Sequence, residues 1–341
     1  MKKLLPILLL SFCACKKVDF QTCDLSPLYL NSPFPIGVAV DNNLLRANPA
    51  YRNIVLEQFN SITPENELKF EFIHPEEGTY YWNDADYLAD FAQQNNKRMH
   101  GHVLVWHNEL PGWIYNYTGD WDTMLRDHIT AVVGHYKNYI GAWDVVNEAM
   151  NDDGTLRNTI WFDHLGSNYI IKAFNAAHSA NPAAKLFYND YNMELNPVKR
   201  DAVIRMCIEM RAEGVQVDGI GMQLHINSSY PSLSDIEAAA RKISDAGFLV
   251  HFSELDVTMN VNNDKTFFSI KDLQDEASRY YSIFNLYKQL NKDRQYGVTI
   301  WGVSDADTWI KRAFNKDDIP LLFDNDYNYK PAYCAVKQSL E

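Results

Sequence analysis

The sequence is poor in the features that mark several large protein classes. It has 5 cysteines in 341 residues, and Cys13 and Cys15 fall within the first fifteen. The remaining three, Cys23, Cys207 and Cys334, are too scattered for a disulfide framework or a zinc site. A lone bridge between Cys23 and Cys334 is left open by the sequence, and Cys207, in an apolar helical pattern, reads as a buried thiol. Basic runs beyond short pairs are missing, and Lys plus Arg (31) falls short of Asp plus Glu (44), a formal net charge of −13. Such a balance disfavours nucleic acid or an anionic membrane as partner and suits a neutral one. No Gly-x-Gly-x-x-Gly follows the first strand-like segment, so dinucleotide binding has no support. No Pro/Ser/Gly-rich linker and no repeat beyond a strand–helix unit divides the chain, so a second domain is not expected.

A membrane-spanning run is missing too. The apolar stretch Leu4 to Leu10 is too short to cross a bilayer as a helix. Preceded by Lys2-Lys3 and followed by Ser11-Phe12-Cys13-Ala14-Cys15, it reads as an export signal of residues 1–14. Its cysteine-containing end resembles a bacterial lipoprotein signal, with Cys15 as the lipidated residue and Cys13 as the second choice. Phe12 stands where an aliphatic residue is usual, and ordinary secretion is the rival reading. The expectation is an exported chain anchored by lipid to the outer membrane, facing the periplasm or the cell surface. The lack of an acidic run after Cys15 favours the periplasmic face. Residues 15–33, rich in Lys, Asp, Ser, Asn and Pro, read as a tether, leaving 34–341 as the folded domain.

What the chain has in plenty is aromatic, 13% of residues with 8 Trp and 20 Tyr, and a regular alternation of strand-like and helix-like segments. Strands are expected at Pro35–Val40, Phe59–Thr63, His102–Trp106, Trp143–Val146, Lys185–Tyr188, Gly219–Leu224, Val250–Glu254 and Tyr296–Trp301. Helical patterns separate them, among them Asn43–Phe59, Trp121–Tyr139, Tyr169–Ala180 and Val198–Ala212, with a last one at Lys330–Leu340 entered through Pro331. Eight such units over roughly 300 residues imply a parallel sheet, most simply closed into an α/β (β/α)₈ TIM barrel, with an open doubly wound sheet as the alternative.

In a barrel the C-terminal strand ends share one mouth. Read off in order, they offer Glu65, Asn66 and Lys69; His102, Trp106 and His107; Asn147 and Glu148; Asn189, Asp190 and Tyr191. Gln223 and His225 follow, then Glu254 and Asp256, then Trp301, Asp305 and Trp309. Amides, carboxylates, imidazoles and indoles of this kind hydrogen-bond hydroxyls and stack on sugar faces. They lack the Lys/Arg and Gly-rich cradle a phosphate needs. Glu148 and Glu254, at two strand ends, are the pair that retaining glycosidic cleavage requires. Trp301 ends an apolar strand, so core packing is the alternative for it. His100-Gly101-His102 offers a His-x-His pair, but no further ligands complete a set, so neither metal nor cofactor is expected.

Eight blocks carry a resemblance. They are Thr63-Pro64-Glu65-Asn66-Glu67-Leu68-Lys69, Gly101-His102-Val103-Leu104-Val105-Trp106-His107, Trp143-Asp144-Val145-Val146-Asn147-Glu148-Ala149 and Phe187-Tyr188-Asn189-Asp190-Tyr191-Asn192. Gly219-Ile220-Gly221-Met222-Gln223-Leu224-His225, Ser253-Glu254-Leu255-Asp256, Trp301-Gly302-Val303-Ser304-Asp305 and Leu321-Leu322-Phe323-Asp324 complete them. In this order they resemble the family 10 glycoside hydrolases, mostly endo-β-1,4-xylanases, from about Phe34 to the C-terminus. The resemblance implies Glu148 as acid/base and Glu254 as nucleophile, with Asn147 on the sugar 2-hydroxyl, His225 on the nucleophile and Asp256 orienting it. It implies Glu65, Asn66, Lys69, His102 and Trp106 as binders on the non-reducing side and Trp301 and Trp309 as covering indoles. Asn189, Tyr191, Gln223 and Arg312 join them as candidate binders. Retention implies carboxyl groups roughly 5–5.5 Å apart, with Glu148 protonated and Glu254 ionised before attack.

One departure matters: Glu109 stands where the family usually has Gln, and a carboxylate cannot donate as an amide does. Ser253 and Val103, where Thr is common, are packing changes. No carbohydrate-binding module is expected beside the barrel. The expected partner is xylan or xylo-oligosaccharide, cleaved by a monomer with no cofactor. The alternatives are a related retaining enzyme acting on β-glucan, mannan or short xylosides, and a surface sugar-binding protein without catalysis.

Overall fold

In the computed structural model, residues 20–341 are described; Cys13, Cys15 and the rest of residues 1–19 lie outside them. Among the described residues nine strands form one parallel sheet: β1 (Ile36–Val40), β2 (Ser61–Pro64), β3 (Arg98–Gly101), β4 (Ile140–Asn147), β5 (Lys185–Asp190), β6 (Gly219–Met222), β7 (His225–Asn227), β8 (Leu249–Thr258) and β9 (Gln295–Ile300). β1 to β6 pair in sequence, β6 pairs with β8, β8 with β9, and β9 returns to β1, which closes a ring of eight. The short β7 extends the sixth member of the ring, pairing only with β8 beyond a break at Leu224, whose φ is 61°. The strands are buried on both faces, as (β/α)₈ barrel strands must be, between a packed interior and an outer layer of helices.

The outer layer comprises α1 (Asn42–Ala47), α2 (Pro49–Gln58), α3 (Phe70–Ile73), α4 (Asn83–Gln94), α5 (Trp121–His135), α6 (Ile160–Leu165), α7 (Tyr169–Ala180), α8 (Pro197–Ala212), α9 (Leu233–Asp245), α10 (Ile270–Lys288), α11 (Trp309–Phe314) and α12 (Pro331–Leu340). Local chemistry explains their ends. Asn48 accepts from the amides of Ala50 and Tyr51, so it starts α2 where α1 stops. Pro49 disfavours helical backbone at Asn48 and splits the continuous helix expected over Asn43–Phe59. Ser269 and Asp272 make a reciprocal capping box on α10. α7 occupies Tyr169–Ala180 as the periodicity predicts, whereas α5 stops at His135, four residues short of the expected end.

The third strand corrects the sequence reading. It runs Arg98–Gly101, before the expected His102–Trp106, and His102 stands at its tip instead of inside it. A side chain at position 101 has no room, since a Cβ there would lie 2.1 Å from the Trp143 indole. The chain shifts register at this crossing and continues through a cis His102–Val103 peptide. The apolar Val103-Leu104-Val105 then lies against β4, with the amides of Leu104 and Val105 donating to the carbonyls of Asp144 and Val145. β8 also runs longer than expected, so Glu254 lies within it and Asp256 projects from the same strand.

The N-terminal segment packs onto the barrel. Phe20 is buried against Tyr281, and Cys23 is bonded to Cys334 of α12, which answers the question the sequence left open. Closing a loop across 311 residues contributes about 6 kcal/mol in the chain-entropy account. Cys207 is fully buried in α8.

Candidate active site

The strand ends open into a cleft of about 680 Å³. All the residues read off the strand ends line it except His107, Asn189, Asp190, Asp256 and Asp305, of which the last four are buried. Asn189 is therefore a positioning group rather than a sugar ligand. Its amide nitrogen donates to Glu254 Oε1 (2.6 Å) and Asn147 Oδ1 (2.9 Å), and its oxygen accepts from Ser253 (2.6 Å). Space for it comes from Gly221, where a Cβ would lie 2.2 Å from Asn189 Oδ1.

The two carboxylates sit in different surroundings. Glu254 is 5% exposed, while Glu148 is half-buried at the open side. Burial pushes the Glu254 carboxyl up. The His225 hydrogen bond, the charges of His102 and His225 and the Asn189 amide outweigh it and hold the carboxyl below its usual range. His225 Nε2 meets Glu254 Oε2 at 3.2 Å and His225 Nδ1 meets Asp256 Oδ2 at 2.8 Å. Burial alone would lower the imidazole, but Asp256 and Glu254 raise it to about 10. The ring is thus an imidazolium donating to both carboxylates at neutral pH. Its stabilising contribution is complete below its unfolded value of about 6.5 and is lost as pH rises through about 10. Trp309 Nε1 donates to the same Asp256 oxygen at 2.7 Å, so the indole at the cleft wall is fixed by the orienting carboxylate.

Glu148 follows the last residue of β4 with a φ of 57°, a left-handed conformation that costs a non-glycine residue about 1–3 kcal/mol. The turn lifts its side chain out of the strand alternation, and its amide donates to the Asn189 carbonyl at 2.9 Å. Glu148 Oε1 accepts from Gln223 (3.0 Å) and Asn147 (3.2 Å). Since Asn147 Oδ1 already accepts from Asn189 and Gln223, its amino group is the end turned to the cleft. A ladder of amides therefore joins the two carboxylates and orients both.

The His-x-His pair is committed to a carboxylate. Asp144 Oδ2 meets His102 Nδ1 at 2.9 Å and Oδ1 lies 3.1 Å from His100 Nε2. Burial opposes the Asp144 charge, yet both imidazoles hold the carboxyl well below its usual range. With Nδ1 facing an anion, His102 presents Nε2 to the cleft, and its ring meets Trp301 edge-on at 5.2 Å.

One wall of the cleft is charged. Lys69 pairs with Glu109 at 2.6 Å and donates to Asn66 at 3.0 Å, and Arg312 pairs with Glu65 across the gap between β2 and α11. Sequence reasoning missed three contributors. Arg157 donates to the Glu148 carbonyl (2.9 Å) and to Tyr191 (2.7 Å), while Asn192 and Phe72 line the cleft. Arg157 and Phe72 sit in loop and short-helix segments where no periodicity points to them. Asn192 directly follows the strand-five group and was within reach.

Loss of the His225 charge and hydrogen bond leaves burial at Glu254 opposed only by His102 and Asn189. In His225→Ala the acidic limb of kcat/KM is expected to move to higher pH, with activity falling about tenfold per unit below it. An unchanged limb in the pH–rate profile would refute this coupling.

Comparison with known proteins agrees with the geometry. The pattern of glycosyl hydrolase family 10 matches residues 26–339. The chain is similar to a beta-1,4-xylanase of Dictyoglomus thermophilum, 39% identical over 89% of this chain and 87% of that one. It is also similar to exoglucanase XynX of Acetivibrio thermocellus, 39% identical over 92% of this chain, although it spans only 29% of that protein's length and 26% of another curated relative's. Among solved structures, xylanase 10B from Thermotoga petrophila in complex with xylobiose superimposes with a TM-score of 0.86 at 35% identity, over 94% of this chain and 98% of that one. With its barrel, its paired carboxylates and the family pattern extending over nearly all the described residues, the chain belongs to glycosyl hydrolase family 10.

Proposed function

We propose that the protein is a retaining endo-β-1,4-xylanase acting by double displacement. The observation that carries this reading is the division of labour between the carboxylates. Glu254 is buried and kept anionic by His225 and Asn189, as a nucleophile must be, while Glu148 is half-buried, met by amide donors and open to the cleft. Glu148 gives a proton to the glycosidic oxygen as Glu254 attacks C1 and the leaving sugar departs. Glu148 then takes a proton from water, whose oxygen attacks C1 and frees Glu254. The Asn147 amino group is placed for the 2-hydroxyl of the sugar being cleaved, and Trp301 and Trp309 cover that ring. Glu65, Asn66, Lys69 and Trp106 hold the glycone side. The catalytic unit is a monomer.

Xylose-based substrates are favoured by relatives named xylanases, one of them solved with xylobiose. β-Glucan is the second reading, because one relative is named an exoglucanase. Reducing-sugar release from xylan, β-glucan and mannan, with products sized, tests the choice. Mixed xylo-oligosaccharides from xylan alone are expected, and release confined to another polymer would overturn the substrate.

Export with lipid on Cys15 is part of the same proposal, and the Cys23–Cys334 pair supports an oxidising compartment. Mass spectrometry of the protein from a membrane fraction is expected to find the lipid on Cys15 and Cys207 as the free thiol. An unmodified soluble product would remove the anchor.

A further inference from the structure

Helix α3 is only four residues long. It buries Phe70 and Ile73 but leaves Phe72 43% exposed. Phe72 lines the cleft, beside Lys69 and Glu109. Its footing is firm: its own amide donates to the Lys69 carbonyl, and the amide of Glu71 donates to the Glu109 carbonyl, both at 3.0 Å. Glu109 has a φ of 50°, and Lys69 holds its carboxylate through Oε2. Exposure rises along this wall, from Glu254 (5%), Glu65 (7%) and Lys69 (8%) to the Glu109 side chain (33%) and Phe72 (43%). Phe72 and Glu109 are therefore the solvent-open residues beside Lys69.

We propose that Phe72 and Glu109 build an outer glycone-side subsite for one neutral pyranose unit, beyond the sugars held by Glu65, Asn66 and Lys69. This rests on the xylan reading and extends it to selectivity. A phenyl ring offers a flat apolar face that matches the C–H face of a pyranose, and covering it removes apolar surface from water. The carboxylate beside it is acceptor-only, and Lys69 occupies one oxygen, which leaves Oε1 for sugar hydroxyls. A sugar bearing its own carboxylate meets like charge at this place, so the subsite accepts neutral xylosyl units and disfavours uronate-bearing ones.

The test compares kcat/KM on xylopentaose, which reaches the outer subsite, with that on 4-nitrophenyl β-xylobioside, which fills only the inner glycone positions. The ratio of the two is the readout, so a general loss from misfolding cancels. Phe72→Ala is expected to lower the ratio about tenfold and Phe72→Tyr to keep it. Glu109→Gln is expected to raise the rate on glucuronoxylan relative to its carboxyl-reduced form by about threefold. An unchanged ratio in Phe72→Ala overturns the stacking platform, and an unchanged preference in Glu109→Gln overturns the charge selection. If the wild type cleaves neither xylopentaose nor the xylobioside, the xylan reading falls and the subsite falls with it.

Discussion

Glu254→Ala is expected to lower kcat on xylan by about 10⁴- to 10⁶-fold, because the variant has no atom to bond to C1 and the covalent route is closed. Folding is expected to survive. Glu254 Oε1 and Oε2 each take one hydrogen bond, from Asn189 and His225, and removing the carboxylate, which itself lines the cleft, opens these donors toward it. The informative control is external azide. A small anion entering the space left by the carboxylate attacks C1 from the same face and gives a product of inverted configuration. Reducing-sugar assays with chiral product analysis check both halves. A variant that retains wild-type kcat would remove Glu254 from the reaction.

Glu148→Ala is expected to cost about 10²- to 10⁴-fold on xylan, where the departing sugar alkoxide needs a proton. The cost should nearly vanish for the first step with an aryl xylobioside whose phenol leaves unaided. Hydrolysis of the glycosyl–enzyme then becomes slow, since no base activates water, and a burst of phenol followed by a slow steady state is the signature. The contrast between substrates separates a lost acid from a damaged site: damage slows both, whereas loss of the proton donor slows one. Stopped-flow absorbance on the aryl substrate and steady-state rates on xylan suffice. Equal losses on both would assign the proton transfer elsewhere.

Much of this site is legible along the chain because barrel chemistry collects at strand ends, and an abrupt change from apolar to polar marks each one. Trp143 to Glu148 and Val250 to Glu254 show that change plainly, and both carboxylates reach the mouth as expected. The third strand is misplaced by four residues because Val103-Leu104-Val105 has strand composition, while the feature that ends β3 is a missing side chain at Gly101. Asn189 reads as a cleft residue from its place at a strand end. Its burial comes with three partners on β4 and β8, which alternation alone does not reveal. Phe72 escapes notice because a four-residue helix is shorter than two turns, too brief to establish a buried stripe. Arg157 lies nine residues beyond Glu148, on a loop whose return to the cleft depends on folding.

Gly101 makes room for the Trp143 indole, and Trp143 lies on the same strand as Asp144 and Asn147, just before Glu148. Any L side chain at position 101 would press on the ring and, through it, on the strand that aims the proton donor. The aim of the acid/base carboxyl is therefore secured by an atom that is absent from a residue with no part in the chemistry. An inventory of functional groups, however complete, passes over such a position. An alteration there reaches the reaction as a change of direction, with every reacting group still in the chain.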